Sequence, residues 1–141
     1  MTSPVAVTPQ TATTASKPYK PPKSAFRVAR AFVRTAVLRT DLARSWQLTT
    51  QGVHQNMTEQ QWLTGDIPIV PFPRSQFLVA RYHIVRAAPT EVVLEVVMLP
   101  RTGSVVGPTL FYLHLVPDGK SWLVSYWAPA GEGGGLPNIA S

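Results

Sequence analysis

The sequence predicts an α+β domain in which N-terminal helices pack on a strongly curved, cone-shaped antiparallel sheet of four to five strands. Three observations carry this: helical periodicity from Ser24 to Asp41, a capped short helix around Met57 to Trp62, and four strand-like runs between Gln76 and Trp127 joined by turn signals. Consecutive strands on short connections form a meander, so sheet order should follow chain order.

The 141 residues suffice for one domain with a core and are too few for two ordinary ones. Hydrophobic residues make up 45% and charged residues 14%, which excludes a disordered chain, and no uninterrupted apolar run is long enough to span a bilayer. Cysteine is absent, which rules out disulfides, thiolate zinc sites and cysteine nucleophiles. The net charge of +6 is uneven: Lys17, Lys20, Lys23, Arg27, Arg30, Arg34, Arg39 and Arg44 face only Asp41, while acids and bases nearly balance thereafter. Such a basic third attracts anionic partners or lipid head groups.

Residues 1–23 are rich in Thr, Pro, Ala and Ser and read as a flexible linker, residues 24–130 as the folded domain, and residues 131–141 as a Gly-rich flexible tail. The linker has no apolar core and its charges follow its neutral stretch, so it is not a signal peptide. Its Lys17, Lys20 and Lys23 suit a segment next to a membrane, with the anchor outside the sequence.

From Ser24, a candidate N-cap, the residues Ala25, Ala29, Phe32, Val33, Ala36 and Val37 share one helix face, and Arg27, Arg30 and Arg34 share the opposite one. A second helix is expected from Asp41 to about Thr49, with Leu42, Trp46 and Thr49 inward and Gln51-Gly52 breaking it. Thr58 and Gln61 form a capping box, flanked by Met57 and Trp62 at the positions of a hydrophobic staple, with Glu59 at the positive end of the helix dipole. That helix should stop at Gly65. The Asn56-Met57-Thr58 sequon is then incidental, because Thr58 is a cap. Ile67-Pro68-Ile69-Val70-Pro71 should run extended at a sheet edge or bulge.

The strands are expected at Gln76 to Ala87, Glu91 to Leu99, Thr109 to Val116 and Ser121 to Trp127, with Asp118-Gly119 as the hairpin signal of the last pair. Strict alternation puts Leu78, Ala80, Tyr82, Ile84, Val92, Leu94, Val96, Met98, Phe111, Leu113, Leu115, Trp122, Val124 and Tyr126 on the helix-facing side. The other side receives Val79, Arg81, His83, Val85, Glu91, Val93, Glu95, Tyr112, His114 and Trp127. That second face is too apolar to stay wet, and predicts a contact with another subunit, domain or ligand.

The segments AFRVARAFVRTAVLRTDLARSW, MTEQQWLTGDIPIVPFP and FYLHLVPDGKSWLVSYWAPA, in this order, resemble the nuclear transport factor 2-like family over about residues 24 to 130. The resemblance implies a cystatin-like cone. It implies two kinds of function: enzymes such as ketosteroid isomerase and the SnoaL-like cyclases, which act inside the cone, and extracytoplasmic binding or assembly domains, including those of conjugation and type IV secretion proteins. The Pro- and Thr-rich basic lead-in is more similar to the second kind. It places the domain at the extracytoplasmic face of a bacterial membrane, with a cytoplasmic location as the alternative.

An isomerase-type site needs a carboxylate and an oxyanion donor inside the cone. Asp41, Asp66, Tyr82, Tyr112, Tyr126 and His83 are the candidates, yet alternation puts no Asp or Glu on the inner face. No catalytic residue, metal or cofactor is therefore assigned. A cone pocket, if formed, would be lined by Tyr82, Phe111, Trp122, Tyr126 and Trp62. The interface candidates on the outer face are Val79, Val93, Tyr112, His114 and Trp127, serving a homo-oligomer or a protein partner. Arg27, Arg30 and Arg34 would meet an anionic partner. His83, His114 and Glu95 share a face without the convergence that zinc requires, and Arg81 could pair with Glu95 across strands. Nucleic acid is not expected, since aromatic and basic residues are not interleaved as stacking platforms need.

Overall fold

The computed structural model describes residues 19–130, so the expected tail at 131–141 and the expected linker up to residue 18 lie outside the described residues. Helix α1 spans Lys23–Phe32 and is entered from Pro22, whose backbone is extended at φ −70° and ψ 160° with no side-chain cap. Ser24 is therefore inside the first turn instead of capping it. The preceding Pro21 and Pro22 lack N–H groups and set the boundary themselves.

The helix does not continue regularly to Asp41. It widens into a π-helical turn over Val33–Val37, closed by Leu38 N donating to Val33 O at 2.9 Å. Thr35 is buried there and donates its hydroxyl to Ala31 O at 2.7 Å. Arg39 then adopts φ 56° and its guanidinium donates to Ala36 O and Ile69 O at 2.7 and 3.0 Å. A long cation thus satisfies one carbonyl left over at the helix end and ties that end to the Ile67–Pro71 stretch.

Helix α2 spans Leu42–Gln47, with Asp41 as a true N-cap accepting from Arg44 N at 3.1 Å. The expected break at Gln51-Gly52 is instead a single helical turn, α3, Gln51–His54, capped by the Thr50 side chain. Thr50 outweighs the helix cost of Gly52 because the cap satisfies an otherwise orphaned N–H. Gln55 and Asn56, both at positive φ, end it. Helix α4, Glu59–Trp62, carries the expected capping box: Gln61 N donates to Thr58 Oγ1 at 3.1 Å and Thr58 N to Gln61 Oε1 at 2.8 Å. Gly65 follows at φ 89°, a conformation a side chain would strain. The Ile67–Pro71 stretch joins no strand. It buries Ile67 and Ile69 and leads to Phe72 N, which donates to Val37 O at 3.3 Å.

The sheet contains β1 Phe77–Ala88, β2 Glu91–Pro100, β3 Thr109–Asp118 and β4 Ser121–Pro129, antiparallel and in the order β1-β2-β3-β4. The meander is as expected, with four strands and no fifth in this sheet. The edge of β4 is partly covered: Thr50 N donates to Val124 O and Val124 N to Leu48 O, at 3.0 and 2.8 Å, forming a parallel bridge.

Three irregularities break the alternation on which face assignment rests, one of them at the start of β1, where the register passes from Phe77 opposite Pro100 to Val79 opposite Leu99 and leaves Leu78 extra. In β4 the register passes from His114 opposite Tyr126 to Leu115 opposite Val124, leaving Ser125 as the extra residue. In β1 it passes from Ile84 opposite Leu94 to Arg86 opposite Val93, leaving Val85 extra. One extra residue exchanges the faces of everything beyond it. Trp127 therefore faces the helix and Tyr126 the outer side, the reverse of strict alternation.

The core lies between α1 with its π turn and the inner sheet face. Phe32, Val92, Leu94, Val96, Met98, Leu113, Leu115 and Val124 are each 0% exposed. Trp127 stacks on Phe111 with centroids 4.3 Å apart, and Phe32 meets Trp127 edge-on at 5.5 Å. The expected inner face of α1, from Ala25 to Val37, is buried throughout, and Arg27, Arg30 and Arg34 are exposed. Among the described residues, no helix is long and apolar enough to cross a membrane.

Phe32→Ala should cost about 3 to 5 kcal/mol in urea unfolding because the ring is wholly buried. Arg30→Ala should change stability by no more than about 0.5 kcal/mol. Equal losses would mean the helix faces are misassigned.

Candidate functional site

The bulges at Val85 and Ser125 each deliver a polar residue to the outer sheet face. Arg86, turned outward after Val85, donates from Nε to Glu91 Oε2 at 2.8 Å, and His114 Nε2 lies 3.0 Å from Glu91 Oε1. Ser125, the extra residue of β4, places its Oγ 3.1 Å from His114 Nδ1 and 3.3 Å from the His114 carbonyl. An unbroken chain Arg86–Glu91–His114–Ser125 thus crosses all four strands. Arg86 Nη2 is left buried without a partner.

With the Ser125 hydroxyl donated to Nδ1, the His114 ring donates from Nε2 to Glu91. The serine, histidine, carboxylate order is shared with nucleophilic relays. Here Arg86 anchors its far end, and the contacts satisfy polar groups placed on a half-buried face. Burial would raise the Glu91 carboxyl, but hydrogen bonds and positive charge from Arg86 and His114 outweigh it and hold it below the usual carboxylate range.

The five pocket candidates are not brought together. Phe111, Trp122 and Trp62 are buried as parts of one hydrophobic core and line no open pocket together, and Trp62 donates from its indole to Ser45 Oγ at 2.9 Å. Tyr126 lines a separate pocket of about 220 Å³ with Val53, Ile69 and Trp127. Tyr82 alone of the five lines the groove between α1 and β1.

The interface candidates also divide. Val93 is fully buried, His114 belongs to the polar chain, and Trp127 is a core residue whose indole donates to Val70 O at 3.0 Å. Tyr112 is half-buried opposite Glu95 and Ala128, and Val79 is exposed on β1. The polar chain occupies the part of the outer face around Val93, while Val97, Leu110, Tyr112 and Leu123 on the same face are half-buried. Arg81 stands opposite Val97 and not with Glu95, whose neighbour is His83 at 3.8 Å. Among the described residues, no three His, Asp or Glu side chains converge as metal ligands.

The apolar surface instead collects on β1. Leu78, Val79, Ile84 and Val85 are 58, 39, 49 and 41% exposed. Beside them runs a groove of about 300 Å³, floored by Val33, Leu38, Phe77, Ala80 and Tyr82 and flanked by Arg30 and Arg34. Burial pushes the Tyr82 hydroxyl up to about 12, against the opposing pull of the Arg30 and Arg34 charges nearby. Helical periodicity placed these arginines on the face of α1 opposite its apolar one. Nothing in helical periodicity shows that a neighbouring strand reaches under two of them.

A second cluster gathers Trp46, His54 and Trp62. The His54 ring stacks on Trp46 at 3.6 Å and its Nε2 contacts Thr49 Oγ1 at 2.8 Å and Trp46 O at 3.2 Å. Burial lowers the His54 pKa from its ordinary 6.5, with the Trp46 carbonyl acting weakly the other way.

Two pH dependences follow. The unfolded chain protonates at His54 before the folded one, so stability falls as pH drops through the ordinary histidine range, and His54→Asn should remove that part of the urea-midpoint difference between neutral and mildly acidic pH. Glu91 works lower on the scale: its contribution is complete above the usual carboxylate range and lost as pH falls through its depressed value. Glu91→Gln should cost about 1 to 3 kcal/mol at neutral pH, a gap that closes in acid.

Compared with protein-family models, with curated proteins and with solved structures, the chain matches none of them.

Proposed function

We propose that the chain is a non-enzymatic protein-binding or assembly module with a nuclear transport factor 2-like cone, held at the extracytoplasmic face of a bacterial membrane by its basic lead-in, in the manner of conjugation or secretion proteins. The observation that carries the binding part is the run of exposed apolar side chains on β1. Leu78, Val79, Ile84 and Val85 fall within one edge strand. They form two pairs at either end of the stretch Leu78 to Val85, and exposed apolar pairs on an unpaired edge resemble a strand awaiting a neighbour more than residues scattered singly over a surface. The docking surface is then the first edge of the sheet and not its back.

A second reading, a carrier or enzyme of the ketosteroid isomerase or SnoaL type, draws support from the groove at Tyr82. It predicts a small apolar ligand that co-purifies with the chain in native mass spectrometry and is lost in Tyr82→Ala.

The binding reading predicts association, with itself or with a partner, in sedimentation and in cross-linking at micromolar concentration. Ile84→Glu should weaken it at least tenfold while leaving the circular dichroism spectrum unchanged, because the side chain it replaces is already half in water. A strict monomer with no cross-linked partner would remove the reading.

A further inference from the structure

The chemistry around β1 says what kind of neighbour that edge takes. Pairing with β2 occupies one side of the strand only, and β1 has no other strand neighbour in the sheet. Between its bulges, Val79 to Ile84 keep regular register, so the opposite side presents a short, regular row of backbone donors and acceptors. Side chains of an added strand would alternate between the outer face and the groove under α1.

Charge decides between occupants. Among the described residues the ion pairs are His83–Glu95, Arg86–Glu91 and His114–Glu91, so Arg30, Arg34 and Arg81 are unpaired. Strand β1, FLVARYHIVRAA, contains no acid. A second copy laid antiparallel on this edge would bring both copies of Arg30 and Arg34 close to one two-fold axis, with no carboxylate from either β1 between them. Like charges so placed oppose pairing. A partner that carries acids is favoured by the same geometry.

We propose that the β1 edge and the adjoining groove bind an extended acidic and apolar segment of a partner protein by strand addition. Its backbone pairs with Val79 to Ile84, its inward apolar side chains enter the groove at Val33, Leu38 and Ala80, and its inward carboxylates meet Arg30 and Arg34. Those arginines are one helical turn apart, about 5 to 6 Å at their Cβ atoms. Every second residue of a strand recurs at about 6.6 Å, so two successive inward carboxylates match the two guanidinium groups. Tyr82, half-buried in the same groove, forms part of its floor. In this mode main-chain hydrogen bonds supply affinity and alternate side chains supply selectivity.

The inference rests on the protein-binding reading above, and its experiment separates the two. The probe is a synthetic peptide, Leu-Thr-Glu-Thr-Glu-Thr-Leu, labelled with a fluorophore and titrated with the full chain at low salt. Binding is expected, weakened at least tenfold by Lys in place of both Glu, by N-methylation of alternate backbone amides, and by the double change Arg30→Glu with Arg34→Glu. The doubly reversed chain should bind the Lys peptide better than the Glu peptide, which also shows that it is folded. Affinity that ignores both charge reversals, or N-methylation, overturns the proposal. So does displacement of the peptide from a groove that binds dodecanoate more tightly and never pairs with a backbone, or a dimer cross-linked through β1. If association persists in sedimentation while the peptide fails, the module reading stands and this docking mode falls; if both fail, both fall.

Discussion

The stack of Trp127 on Phe111, closed edge-on by Phe32, holds the last strand to the first helix. It is possible only because β4 inserts one extra residue, Ser125, opposite the His114-Leu115 step of β3. Without Ser125 as the extra residue, Trp127 would face outward and the largest aromatic contact between sheet and helix would be lost. Aromatic rings bring the most buried area per residue, so this one insertion decides how the helix is seated.

The same insertion has a second effect on the opposite face. It puts Ser125 beside His114, while the Val85 bulge puts Arg86 beside Glu91. The outer face therefore satisfies its polar groups internally, and buried Val93 lies among them. The back of the sheet thus carries a polar chain around Val93 beside half-buried apolar residues, and on β1 the more exposed apolar side chains are Leu78, Val79, Ile84 and Val85. Both assignments follow from local register, not from composition.

Much of the architecture was legible in the sequence. The α1 faces, the Thr58 to Gln61 capping box, the Asp118-Gly119 turn and the meander order follow from periodicity and short-range chemistry. What escaped has a common cause. Bulges, the π turn at Val33 to Val37 and the turn capped by Thr50 each insert or keep one residue that no alternation rule counts. A face-by-face forecast is right up to the first insertion and inverted after it, which is why Tyr126 and Trp127 exchanged places. Of the candidate site residues, Tyr82, Arg30 and Arg34 do meet around one groove, but their meeting depends on how close a helix and a strand distant in sequence approach.

The short bridge between Thr49 and Val124 has a consequence for how such molecules can join. Because Leu48 and Thr50 occupy the backbone of Val124, the far edge of the sheet is interrupted near its middle, whereas β1 carries no such bridge. A strand added at β4 would meet a broken ladder, so the two edges are not equivalent margins. Head-to-tail growth into fibres, which requires two complementary margins on every unit, is opposed by the same two hydrogen bonds that hold α2 and α3 against the sheet.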